Sequence, residues 1–296
     1  MRICAIDVGT NTVMSVVADV TDSGLAVVED EERFARLGQG VDASGRLAPE
    51  AIDRVLDRLA AAQATAQRLG AERIVIGATS ASRDAANVGE LQARVRAELG
   101  LEYRVISGEE EAEASFRGAL ARLPDVDAAL VVDIGGGSTE VALGTRAAGV
   151  ARRQSVDVGS VRLTERHFGE RPPSADAVEH ARLDAEAAYA AVAFERGEVP
   201  LVATGSVGRL VARLVGAEDR VPIEALRPWR DRLLARTPAE ALALAPDVLA
   251  GREDVAAAAL LLLDAALVRF GADGYVPTTG GLRHGLALAE AERVGA

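Results

Sequence analysis

Three stretches of this chain have the residue types and spacing to do chemistry. Residues 130–144 read LVVDIGGGSTEVALG: an apolar run carries Asp133 into Gly135, Gly136 and Gly137, then Ser138, Thr139 and Glu140, then a second apolar run. A carboxylate inside a buried strand is costly unless a cation or hydrogen-bond donors meet it. Glycines directly after it permit a tight turn and let backbone N–H groups come close to a ligand, as phosphate-binding loops do. Carboxylate plus bare backbone donors suits a metal–phosphate pair. Residues 3–18, ICAIDVGTNTVMSVVA, repeat the plan with Asp7, Gly9, Thr10, Asn11 and Thr12. One offset of 126 aligns Asp7 with Asp133, Gly9 with Gly135 and Thr12 with Ser138. A single such loop reads as a hairpin with an exposed acid. Two matched copies predict two similar domains facing each other across a cleft.

The third stretch is acidic. Ser107, Gly108, Glu109, Glu110, Glu111, Ala112 and Glu113 follow a short strand and open a helix predicted to run to about residue 123. Acids in a first helical turn complement the helix dipole and need no further role. Periodicity separates them, however: Glu111, Ser115 and Gly118 share one face, whereas Glu109 and Glu113 point elsewhere. One glutamate can therefore look into the cleft while its neighbours stay in solvent.

The elements that position these residues alternate between strand and helix. A third strand is predicted over 24–34 and a helix over 49–69, with Pro49 near its start and Gly70 at its end. Its Ile52, Val55, Leu56 and Leu59 fall on one face, so the helix covers a sheet. The strand over 73–78 leads into a polar loop, residues 79–84, that carries Arg83 at the strand's carboxyl end, where ligands of α/β sheets gather. A helix over 87–99 and a strand over 104–106 complete the first domain, with a boundary in the polar turn 124–127. The second half repeats the order: hairpin, a strand near 154–158, a helix from Ser160, a long helix over 174–194, and a strand over 201–203 ending in Gly205 and Ser206. A strand at 275–276 and Gly280-Gly281 precede the last helix. Each glycine pair puts a helix N-terminus where an anion is favoured. The expected division is 1–123 and 124–296, with the helix about 284–296 packing back on the first domain.

Composition narrows the function classes. The 296 residues, 49% hydrophobic and 26% charged, suffice for two globular domains. All 33 of the Lys+Arg count are arginine, which removes Schiff-base chemistry and a P-loop lysine. A net charge of −12 argues against a general nucleic-acid binder, so any polyanion must meet local arginine. Cys4, the single cysteine, lies within an apolar strand and reads as core, so no disulfide forms within the chain. His167, His180 and His284 lack metal-ligand spacing and are expected at the surface or at caps. Residues 255–263 are the most apolar, but Asp264 closes them short of a membrane span, and a buried helix is expected. Without a signal-peptide pattern at the N-terminus, a soluble cytoplasmic protein is expected, monomer or homodimer, with no membrane partner.

The segments AIDVGTNT, ATSASRDAAN, VISGEEEA, LVVDIGGGSTE, VGSVRLTERHF, ATGSVGRL and GLRHG occur in this order over nearly the whole chain. Together they resemble the exopolyphosphatase/guanosine pentaphosphate phosphatase (Ppx/GppA) family in its short, two-domain form. The resemblance implies an α/β fold of two ribonuclease-H-like domains, as in the actin, Hsp70 and sugar-kinase superfamily, around a central cleft. It implies stepwise removal of the terminal phosphate of inorganic polyphosphate, or of the γ-phosphate of guanosine pentaphosphate, with Mg²⁺ or alternatively Mn²⁺. By position, Glu111 matches the catalytic base, Glu140 and Asp133 the acids around metal and water, and Asp7 their counterpart in the first domain. Gly9, Thr10, Asn11 and Thr12 match one phosphate loop, and Gly135–Thr139 the other, with Gly205 and Ser206 beside it. Arg83 matches a phosphate-contacting arginine. The chain departs from the family at Met14, where an arginine is usual. That substitution weighs against guanosine pentaphosphate, and Arg252 and Arg283 are the candidates to restore the charge.

Two rivals use the same loops. A small-molecule kinase of this fold usually places an aspartate base in its second half and needs a sugar pocket. A non-catalytic sensor of phosphorylated nucleotides gains nothing from a base such as Glu111 beside a phosphate.

Overall fold

In the computed structural model of the chain, which describes residues 1–21 and 24–295, the backbone divides into two compact units. One holds Met1–Pro124 together with the chain from Gly280 onward; the other holds Asp125–Thr279.

The first unit begins with antiparallel strands β1 (Arg2–Val8), β2 (Thr12–Thr21) and β3 (Gly24–Phe34). Helices α1 (Val41–Ser44) and α2 (Pro49–Arg68) follow, then β4 (Arg73–Ala78), α3 (Ser80–Asp84), α4 (Val88–Leu99), β5 (Arg104–Val105) and α5 (Gly108–Ala121). The sheet order is β3-β2-β1-β4-β5, with β4 parallel to both of its neighbours. β1 is apolar along its length because both of its faces are covered. Cys4, Ile6 and Val8 pack with Val55, Leu56 and Leu59 of α2, while Ile3 and Ala5 pack with Leu282 and Leu286 from the end of the chain.

The second unit runs β6 (Ala128–Ile134), β7 (Thr139–Thr145), β8 (Gly149–Val156), α6 (Ser160–His167), α7 (Ala175–Ala190), β9 (Leu201–Thr204) and α8 (Gly205–Val215). Then come β10 (Val221–Pro222), α9 (Ile223–Leu234), α10 (Pro238–Leu244), α11 (Pro246–Leu249), α12 (Ala256–Arg269) and β11 (Gly274–Pro277). Its order is β10-β11-β9-β6-β7-β8. Read inward from β8, the first five strands repeat the order of the first unit, and β10 is an added edge. Two α/β units of one ribonuclease-H-like plan are therefore present. α12 is buried along nearly all of its length, and among the described residues no helix is long and apolar enough to cross a membrane.

Several elements differ from expectation. Residues 80–84 form a helical turn, α3, in place of a polar loop; Ser80, Ala81 and Ser82 are buried, and the Ser82 and Tyr103 hydroxyls lie 2.7 Å apart. The helix expected over 174–194 ends at Ala190. The second unit stops at Thr279, because the last helix, α13 (Leu282–Val294), packs on α5 and completes the first unit's core. Glycine permits that contact. A Cβ on Gly285 would lie 1.9 Å from the Ala114 carbonyl oxygen, and one on Gly118 would lie 2.0 Å from that of Gly281. His284, expected at the surface or a cap, is fully buried, because α13 lies over the sheet.

Candidate active site

The two glycine loops share one hydrogen-bond design. The Gly9 N–H donates to the Thr12 carbonyl at 2.9 Å, and the Gly135 N–H donates to the Ser138 carbonyl at 2.9 Å. In each loop the following segment then claims the peptide oxygens from behind. Thr10 O accepts from the Gly38 N–H at 2.8 Å, and Asn11 O accepts from the N–H groups of Ala35 and Arg36 at 3.0 and 2.9 Å. In the second unit Gly135 O accepts from the Ser160 N–H, and Gly136 O from the N–H groups of Val161 and Arg162. Gly137 O accepts from Arg162 Nε at 2.7 Å. A planar peptide whose oxygen is held behind presents its N–H on the other side. Among the described residues, the N–H groups of Asn11, Gly136 and Gly137, which belong to peptides held in this way, donate to no group of the chain, and neither does that of Thr10. Successive outward N–H groups of this kind form an anion-binding nest.

The acids stand at the strand ends that feed these loops. Asp133 and Glu140 are directly opposed on β6 and β7, so their side chains lie on the same face of the sheet. Glu140 is 2% exposed and accepts from Ser155 Oγ on β8 at 2.7 Å. Asp133 also neighbours Thr204 on β9, and Gly205 lets α8 begin against its carboxylate. Gly205 has φ +70°, and a Cβ there would lie 2.6 Å from Asp133 Oδ1. Ser206 follows in the first turn of α8. Asp7, in the first unit, is buried and opposes Met14 on β2.

Glu111 sits in the first turn of α5, buried as its helical face predicts, while Glu109 and Glu110 are exposed. Ser107 and Glu110 form a capping box that starts this helix. Arg83, on α3, reaches across so that Nη1 donates to Glu111 Oε2 at 2.6 Å and to the Ile106 carbonyl at 3.2 Å.

Some sequence-level assignments change. Thr139, matched to the phosphate loop, is fully buried and its hydroxyl donates to the Val158 carbonyl at 2.7 Å, so it braces the loop from within. Arg283 does not offer its charge to a ligand, being 1% exposed and paired with Asp30. Arg162 and Ser155 were not singled out by sequence, although both support the second loop. The available signal for Arg162 was its place in VGSVRL, just after the third strand of the repeat.

No group of three or more His, Cys, Asp or Glu side chains that could hold a metal occurs among the described residues. The paired acids Asp133 and Glu140 nonetheless fit Mg²⁺, which commonly takes one or two carboxylates and completes its shell with water and substrate phosphate.

A model of the Ppx/GppA phosphatase family matches residues 16–294. The chain belongs to the Ppx/GppA phosphatase family. Among its Ppx/GppA relatives, exopolyphosphatase 2 of Mycobacterium tuberculosis is 40% identical over 278 residues, covering 86% of each chain. The crystal structure of the Aquifex aeolicus family member is similar at a TM-score of 0.81 and 26% identity, covering 100% of this chain and 99% of that one. An exopolyphosphatase structure from Cytophaga hutchinsonii, 24% identical, shares the fold at a TM-score of 0.85 over 100% and 99% of the two chains.

Proposed function

We propose that the protein is an exopolyphosphatase that hydrolyses the terminal phosphoanhydride bond of inorganic polyphosphate with water as acceptor. The observation that carries this reading is the duplicated loop, in which N–H groups of Asn11, Gly136 and Gly137 are left for an anion. The 40% identity to a protein named exopolyphosphatase supports it.

Phosphoryl transfer asks mainly for positioning and charge neutralisation. The loop N–H groups take phosphoryl oxygens, and the Arg83 guanidinium takes charge developing on the equatorial ones. Glu111 orients the attacking water and accepts its proton as the oxygen bonds to phosphorus. The bridging P–O bond breaks, leaving orthophosphate and a chain shorter by one residue. Asp133 and Glu140 are the residues that would hold Mg²⁺ or Mn²⁺, and Asp7 is their counterpart in the first unit. Such an ion supplies further neutralisation of the phosphate charge.

The test is release of orthophosphate from polyphosphate by the purified protein, with guanosine pentaphosphate as a parallel substrate. A further arm supplies ATP and an acceptor sugar. Polyphosphate hydrolysis without acceptor supports the reading. Faster turnover of guanosine pentaphosphate makes the nucleotide the substrate, and phosphate transfer only to the sugar makes the protein a kinase.

A further inference from the structure

Arg83 and Glu111 come from different elements of the first unit, α3 and the first turn of α5, yet they meet at 2.6 Å. Their side chains are 21% and 9% exposed, so the pair is largely out of water. A charge-assisted hydrogen bond of this length in such a place is strong. It also sets the two roles assigned above against each other. A carboxylate oxygen that accepts from a guanidinium is a poor proton acceptor for water. A guanidinium N–H directed at a carboxylate is not directed at a phosphoryl oxygen.

We infer that substrate decides between these roles: without phosphate Arg83 holds Glu111 idle, and the terminal phosphoryl draws Nη1 away from the carboxylate, releasing the base. The inference rests on the polyphosphatase reading and adds a gate to it. Phosphate is a suitable competitor because it presents several charged oxygens in the geometry a guanidinium prefers. The exchange leaves the arginine paired throughout, so it carries no buried, uncompensated cation. Ile106 O, the second acceptor of Nη1, keeps the guanidinium near while its partner changes. Glu111 thus becomes available only once a phosphoryl group is in place.

The test uses orthophosphate, titrated calorimetrically into the full-length protein as wild type, Glu111→Gln, Arg83→Gln and the double variant. Removing the competing carboxylate charge should tighten phosphate binding by about tenfold, the scale of one charge-assisted hydrogen bond. In the Arg83→Gln background the same Glu111→Gln change should give less than about a twofold gain, within the error of additive sites. A gain that persists without Arg83 reports plain repulsion between carboxylate and phosphate and overturns the gate. So does a Glu111→Gln variant that binds no tighter than wild type.

If the double variant does not fold, arginine side-chain ¹⁵N signals of the single chains decide. Orthophosphate should shift the Arg83 signal, assigned by its loss in Arg83→Lys, and Glu111→Gln should shift it before phosphate is added. An Arg83 signal unmoved at saturating phosphate overturns the proposal. Polyphosphate hydrolysis with no coupling removes the gate alone; a wild type that neither binds orthophosphate nor releases it removes the hydrolase reading as well.

Discussion

Arg283 on α13 grips Asp30 on β3 through both arms of its guanidinium, Nε donating to one carboxylate oxygen at 2.8 Å and Nη2 to the other at 2.7 Å. The remaining arm, Nη1, lies 3.7 Å from the Met14 sulfur. The pair ties the returning C-terminal helix to the sheet of the first unit. Arg283→Met should therefore destabilise the fold by roughly 2–3 kcal/mol, below the 3–5 typical of a fully buried pair because Asp30 is partly exposed. Adding Asp30→Asn should recover much of that loss in denaturant titrations. Met14→Arg would set a second guanidinium against the first. It should lower stability by about 1–3 kcal/mol without improving guanosine pentaphosphate binding.

Glu111 and Glu109 separate the proposed base from its neighbours. Glu111→Gln should lower kcat on polyphosphate at least ~10²-fold, the lower end of general-base effects, because an amide cannot take the water's proton. Glu109→Gln, on the exposed side of the same turn, should leave kcat within a factor of about two. Equal losses in the two variants would mean that the wrong glutamate has been assigned.

Much of this architecture was legible because local pattern and tertiary role agree. The offset of 126 anticipated two sheets of the same order, and the face shared by Glu111, Ser115 and Gly118 anticipated which glutamate is buried. What was not legible depends on contacts distant in sequence. Nothing near Arg283 announces that Asp30, 253 residues away, will consume its charge. Nothing near Gly285 says that Ala114 O will lie where a side chain would be. Thr139 looked like a phosphate ligand because sequence shows a hydroxyl but not the Val158 carbonyl that takes it. Residues 79–84 looked like a loop because their serines are polar, whereas Ser82 is buried against the Tyr103 hydroxyl.

The proposed metal role of Asp133 can be tested from a backbone position as well. Chelation should abolish activity, and Asp133→Asn should raise the Mg²⁺ concentration needed for half-maximal rate, since a neutral amide is a weaker ligand for a hard cation. Gly205→Ala should give the same phenotype from outside the acid set. Its Cβ would meet Asp133 Oδ1 at 2.6 Å in a conformation that favours glycine, so the carboxylate must move. Full activity in excess chelator would refute the metal assignment.

Cys4 provides a probe of folding. Its thiol is fully buried, and desolvation pushes its pKa up to about 12. The reactive species is the thiolate. A thiol reagent at pH 8 should therefore leave the native protein untouched and modify it only as it unfolds, with a midpoint matching the denaturation curve.

The capping box at the start of α5 makes a pH-dependent prediction. Ser107 Oγ accepts from the Glu110 N–H at 3.2 Å, and the Glu110 carboxylate accepts from the Ser107 N–H at 2.8 Å. That backbone donor is the main cause holding the Glu110 carboxyl below its ordinary value. With the folded pKa depressed, the stabilisation is fully present above the unfolded value, about 4.3, and disappears as pH falls through the folded one. Glu110→Ala should then be less stable than wild type at pH 7 by about 0.5–1 kcal/mol, the lower range for a lost helix cap. The gap should close as the pH falls through the depressed folded value, where the wild-type carboxylate is itself protonated. Because Glu111 is the next residue, kcat measured at pH 7 tests whether the cap also aims the proposed base. A fall in kcat at unchanged KM assigns it that positioning role, and an unchanged kcat confines it to stability.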